Sequence, residues 1–340
     1  MNDPKQALLV VDKLITSFDT DRGFLRAVDQ VSFSVPAGGT VGIVGESGCG
    51  KSVTAMSIVR LLPQPAGKII GGHVWFKGED LLRADDERMR KIRGGEIGVI
   101  FQEPMSALNP LHRIGRQVAE VFLLHRNISK NDAWSQALEM LKLVGIPAPE
   151  KRMMEYPHQL SGGMRQRVVI ALALACRPSM VIADEPTTAL DVTVQAQILD
   201  LMARLRAEMN MSMMLITHDL GVIAENCNEV VVMYAGRVVE KGPVSEIFAK
   251  PLHAYTRGLL RSMPTLDSKP KSLLPVIPGM VASLGEHSHG CRFCQRMGIP
   301  ASELRERPAL IEIKPGHWVE NCERCLGEHR TSNIEHRTLK

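Results

Sequence analysis

"TVGIVGESGCGKS", residues 40–52, decides the fold. Five apolar-rich residues, Thr40 to Val44, read as a short buried parallel strand. Gly45 to Ser52 then fit the spacing of a phosphate loop: glycine, four residues, glycine, lysine, serine. Glycines let successive backbone N–H groups turn inward around a polyphosphate. The segment that follows, "KSVTAMSIVRLL" at 51–62, has helix length, so its N-terminus adds positive potential at the same point. Lys51 is placed to meet the β- and γ-phosphates, and the Ser52 hydroxyl to ligate Mg²⁺. Glu46, Ser47, Gly48, Cys49 and Gly50 complete the cradle.

Outward from this loop, further buried strands are expected at 31–35, 97–101, 180–184 and 213–217. Strands alternating with helical segments specify an α/β core. No strand pattern occurs between 111 and 176, which reads as helices broken by "GIPAPE" and "YPHQLSGG". Val194, Ile198, Leu201, Met202 and Leu205 line one face of a later helix. The strand "MVIAD" ends in Asp184 and Glu185, two carboxylates that are costly at a buried strand end unless they meet a cation. Asp184 is the candidate Mg²⁺ ligand and Glu185 the group that polarises the attacking water.

Composition narrows the class. The 340 residues suffice for one large domain with a small one, or for two medium ones. Lys and Arg exceed Asp and Glu by four, 41 against 37, without a polybasic run, so nucleic acid is not an expected partner. The opening "MNDPKQALLVVDKL" lacks the basic and apolar regions of a signal peptide. The longest apolar run, "VVIALALAC" at 168–176, falls short of the roughly 20 residues that span a bilayer.

"LSGGMRQR" at 160–167 adds a second anion-binding helix start, opened by Ser161, Gly162 and Gly163. In this combination the chain resembles the nucleotide-binding subunits of ABC transporters. "IFQEPMSALNPLHRIGRQ", "YPHQLSGGMRQRV", "ACRPSMVIADEPTTALDVTVQAQIL", "VMYAGRVVEKG", "HAYTRGLL", "IPGMV" and "GCRF" narrow the resemblance to the dipeptide, oligopeptide and nickel importer group. The resemblance implies an ABC-type cassette over 1–263, with a helical subdomain about 104–176, and a C-terminal extension over 264–340. It implies that Gln102 contacts Mg²⁺ and senses the γ-phosphate, and that His218 in "ITHD" is the switch histidine. Ser161, Gly162, Gly163 and Asp191 would act in trans, on ATP held by a second ATPase subunit, most often a paralogue. It further implies two membrane permeases, an external solute-binding protein, and a peripheral position on the cytoplasmic face of the inner membrane. The activity implied is ATP hydrolysis that drives uptake of di- or oligopeptides or a related solute. Residues 103–110 and the helices after them are the expected permease dock.

Two other classes are weaker. A soluble ABC ATPase of DNA repair or translation usually carries two cassettes or a long coiled coil, and this chain has one cassette and no heptad run. A non-hydrolysing regulatory subunit would lack the base that Glu185 supplies. Phe18 and Phe24 are the two candidates to stack on adenine. Cys49 stands where the group usually has serine; a thiol at a helix start is expected to be reactive and shielded by MgATP.

Near the end, "GCRFCQRMGIP" (290–300) and "NCERC" (321–325) carry two cysteine pairs with the same two-residue gap, 27 residues apart. Cys291, Cys294, Cys322 and Cys325 can surround one metal, and spacing alone leans slightly to zinc over an iron–sulfur cluster. The resemblance instead implies a [4Fe–4S] cluster, although Met297 and Leu304 stand where that group has further cysteines. His287, His289, His317 and His329 are alternative ligands. Its distance along the chain from the ATP motifs gives the centre a structural role.

Overall fold

The computed structural model describes residues 7–21, 23–263, 275–281, 290–304 and 307–326. These fall into two compact units, residues 1–34, 41–77 and 217–340 in one, 35–40 and 78–216 in the other.

In the first unit the strand Ala7–Thr20 runs antiparallel to Gly67–Phe76, with Leu9 opposite Phe76 and Phe18 opposite Gly67. The fully buried strand Thr40–Val44 runs parallel to Glu229–Tyr234, as its unbroken apolar character requires. Glu229–Tyr234 turns back into Arg237–Pro243. The segment read as an extension continues this sheet: His317–Glu320 pairs with Arg237–Pro243, and Leu310–Lys314 pairs with His317–Glu320. Val319, Leu326 and Leu252 form a small core under that hairpin. The helix after the phosphate loop is Lys51–Ile58, shorter than its apolar pattern, because Arg60 turns left-handed ahead of Pro63.

In the second unit Ile97–Ile100, Met180–Asp184 and Ser212–Ile216 form a parallel set. Among the described residues no strand lies between 111 and 176; that stretch holds the helices Ile114–His125, Lys130–Leu143 and Gly162–Leu174 and shorter turns. Val192–Met209 buries Ile198, Leu201, Met202 and Leu205, while Val194 sits half-buried in its first turn. Asp191 caps this helix by accepting from the Val194 amide, and Asn210 closes it in the left-handed region.

Candidate nucleotide site and thiol cluster

The phosphate loop is shaped by its glycines and held from beneath. Gly45 has φ 151°, and a β-carbon there would lie 2.2 Å from the Met233 carbonyl oxygen. Gly50 has φ 99° and meets the Ala27 carbonyl the same way at 2.5 Å, so no other residue fits either position. Lys51 folds back over the loop and donates to the carbonyls of Gly45 at 2.8 Å and Glu46 at 3.1 Å. That places a nearly buried ammonium at the mouth of the cradle, satisfied by backbone oxygens.

Cys49 corrects the expected reactivity. Its thiol is 1% exposed, and burial pushes its pKa up rather than down. Its sulfur lies beside Gly45 and accepts from the Lys51 ammonium at 3.9 Å. His218 is exposed just after Thr217, whose amide donates to Ile43. Asp219 then starts the next helix by accepting from Gly221 and Val222. Phe18 is half-buried, and Phe24 is 67% exposed with the Lys68 ammonium 5.9 Å from its ring centroid.

The other ATP-motif residues lie in the second unit. Asp184 is buried at the end of its strand. Glu185 follows in a left-handed conformation at φ 46°, which turns its side chain out of the strand period. Gln102 donates to the Glu185 carboxylate at 3.1 Å and Thr188 donates to the same oxygen at 2.9 Å. Gln102 is thus joined to Glu185, a partnership the sequence did not reveal. Ser161 caps Gly162–Leu174 through the Met164 amide, and Ser161, Gly162 and Asp191 all stand exposed.

The segment 103–110 forms a short helix, Pro104–Ala107, with Ser106 exposed. Beyond it, Leu111, His112, Arg113, Arg116, Trp134, Met154 and Tyr156 line a cavity of about 350 Å³. Leu111 is 81% exposed at its rim. Trp134 comes from one of the helices that the sequence reading joined to 103–110, and Met154 and Tyr156 come from further along the chain.

The four module cysteines come together as expected. All are buried, and their sulfurs lie within 4.8 Å of one another. Cys291 is 3.6 Å from Cys325, and Cys294 is 3.5 Å from both Cys322 and Cys325. Hydrogen bonds from the other three thiols, together with the Cys325 amide, pull the Cys322 thiol far below its usual range. Among the described residues His317 does not stand within metal-sharing reach of the thiols; its Nε2 pairs with buried Glu240 at 2.9 Å. His287, His289 and His329 lie outside the described residues. His253, which the sequence did not single out, stands beside Cys291 and Glu320 instead. Burial lowers the His253 pKa to about 4, so the ring is neutral. Its Nδ1 accepts from the Tyr255 amide at 3.1 Å, which leaves the proton on Nε2. That Nε2 is buried without a partner among the described residues. Burial also raises Glu320 to about 7.

The module is not remote from the phosphate loop. Arg296, two residues after Cys294, forms an ion pair with Glu46. Phe293 packs on Tyr234 and Tyr255 at centroid distances of 5.5 Å each, and the Tyr255 hydroxyl accepts from the Glu46 amide at 2.9 Å. Arg292 and Arg237 share buried Asp29 at 2.8 and 2.9 Å, and Arg307 joins them at 3.0 Å. Burial alone would raise the Asp29 carboxyl, but the three guanidinium groups hold it below its ordinary value.

Comparison with known proteins agrees with this layout. The ABC transporter family profile matches residues 28–188, and that of the oligopeptide/dipeptide transporter C-terminal region matches 239–297, ending before the second cysteine pair. A probable peptide ABC transporter ATP-binding protein of Sinorhizobium fredii, y4tR, is 52% identical, over 93% of this chain and 95% of its own. The oligopeptide transport ATP-binding protein OppD of Bacillus subtilis is 48% identical over 92% of this chain and 88% of its own. Among solved structures, the ATP-binding cassette MJ0796 bound to ADP and Pi superposes with a TM-score of 0.62 at 28% identity, covering 69% of this chain and 98% of that one.

Proposed function

This chain belongs to the ABC transporter family, as an ATP-binding protein of its oligopeptide/dipeptide group, and on that premise we propose that it hydrolyses ATP to drive peptide uptake through partner permeases. Lys51 and the loop amides hold the phosphates, Ser52 and Asp184 hold Mg²⁺, and Glu185 polarises water with Gln102 and Thr188 orienting its carboxylate. His218 contacts the γ-phosphate. Ser161, Gly162, Gly163 and Asp191 close over ATP on a second ATPase subunit, and the exposure of Ser161, Gly162 and Asp191 supports that role. The groove at Leu111, Trp134 and Met154 receives a permease, which puts the chain on the cytoplasmic membrane surface. The observation that carries the reading is the convergence of Gln102 and Thr188 on Glu185 at the end of a buried strand. Glu185→Gln should keep ATP binding and cut turnover by about 10²–10⁴-fold. Turnover above half of wild type would remove Glu185 from the mechanism.

The thiol cluster binds one metal, and its geometry supports zinc. A four-iron cluster, which the family resemblance implies, places eight atoms inside its thiolates. Sulfurs 3.5–3.6 Å apart are already in contact and do not fit around it. A single ion with bonds of ~2.3 Å spaces tetrahedral sulfurs at about 3.8 Å, close to what is observed. The unpartnered Nε2–H of His253 would gain a metal-bound thiolate as acceptor. Metal analysis decides: about one zinc in a colourless chain supports the reading, and a brown protein absorbing near about 400 nm overturns it.

A further inference from the structure

The helix Arg292–Arg296 carries one of the four thiols and also supports both ends of the phosphate loop. At the start of the loop, Arg296 holds the Glu46 carboxylate through two hydrogen bonds, and its guanidinium is anchored in turn by the carbonyls of Ile277, Pro278 and Gly279. Only 3% of the Arg296 side chain is exposed. Phe293 backs Tyr255, whose hydroxyl takes the Glu46 amide. The Glu46 carbonyl is one of the two that hold Lys51. At the far end, Arg292 donates to the Ala235 carbonyl, and the next amide, Gly236, donates to Cys49 at 2.8 Å. A continuous set of contacts therefore runs from the thiol cluster through Arg296 and Glu46 to the ammonium that meets phosphate.

We propose that Arg296 is a positioning residue for the phosphate loop, and that closure of the cysteine module and binding of ATP are thermodynamically linked through it. The proposal rests on the nucleotide-binding reading above and not on which metal the thiols hold. A loop that binds through backbone amides gains affinity when those amides are ordered in advance. Glu46 is fixed by a side chain and a hydroxyl that both depend on the closed module. Opening the module frees Glu46, and with it one support of Lys51. Linkage is reciprocal, so bound nucleotide must resist opening by the same factor.

All four thiols are buried, so alkylation reports opening. The test measures alkylation rates of Cys294 and Cys322 in the full-length chain by peptide mass spectrometry, with and without Mg²⁺ and a non-hydrolysable ATP analogue. Wild type should be protected by about five-fold or more. Arg296→Met should lose that protection and weaken analogue binding by a similar factor, with a raised KM and a kcat within about two-fold of wild type. Arg296→Lys, which keeps the charge, should recover part of both. Equal alkylation of wild type with and without analogue overturns the proposal, and so does wild-type affinity in Arg296→Met. Should Arg296→Met fail to fold, the wild-type protection and Arg296→Lys decide. Metal analysis of the same sample separates failure of the zinc reading, and the arms with and without analogue are compared at equal measured metal content. A wild type that binds no nucleotide at all would instead sink the cassette reading.

Discussion

The phosphate loop and the cysteine module meet at Glu46, yet they are made by opposite means. The loop is built through its backbone: two glycines that admit no β-carbon and two carbonyls that seat Lys51. Its side chains apart from Lys51 and Ser52 are fillers or anchors. The module works through side chains: four thiols, three arginines around Asp29, and the aromatic ring of Phe293. Backbone function is written in contiguous residues. Side-chain function of this kind is written across the whole chain.

The sharpest way to break this contrast is to remove one thiol. On the one-metal reading proposed above, Cys322→Ser should lose the ion altogether, because three thiolates with a neutral hydroxyl do not replace a closed tetrahedral set. The variant should then melt earlier than wild type, and chelator should no longer change its melting temperature. Retained metal at the wild-type ratio would show that another group ligates, and His253 would be the first suspect.

Next in size is Asp29→Asn. The carboxylate is 2% exposed and meets three guanidinium groups, so neutralising it leaves buried positive charge without its counter-ion. Breaking a buried pair of this kind costs about 3–5 kcal/mol. Denaturant unfolding would measure it, and a loss below about 1 kcal/mol would show that water reaches the cluster. The sign with pH follows from the depressed carboxyl. Its stabilisation is fully present above the ordinary carboxylate value of about 4 and is lost as pH falls through the lowered folded value. The difference between wild type and Asp29→Asn should therefore shrink in acid.

The same contrast explains what was legible in sequence. The strands at 40–44, 97–100 and 180–184 and the helix face at Ile198, Leu201 and Leu205 follow local periodicity, which the fold then honours. The phosphate loop was legible because its chemistry is local. The four cysteines were legible as a pair of pairs. Their surroundings were not: Asp29 and Arg292 are 263 residues apart, and Glu240 and His317 are 77 apart. His317 was placed among candidate ligands because nothing near it in sequence announces Glu240. Chain distance likewise assigned the module a purely structural role, while the fold sets Arg296 against Glu46.

The smallest expected effect tests the backbone half of the contrast. Cys49 sits inside the loop, and its sequence position at a helix start pointed to a reactive thiolate. Burial decides otherwise: at 1% exposure the thiol stays protonated and packs on Gly45. Phosphate contacts come from amides, which serine supplies equally well. Cys49→Ser should therefore change stability by less than about 1.5 kcal/mol, as near-isosteric swaps do. Its ATP affinity should stay within about two-fold of wild type, and wild-type Cys49 should alkylate slowly whether or not nucleotide is present. Rapid labelling of Cys49 that nucleotide suppresses would mean the loop opens in solution. Its side chains would then take part in binding after all, and the division of labour between the two regions would fail at its simplest point.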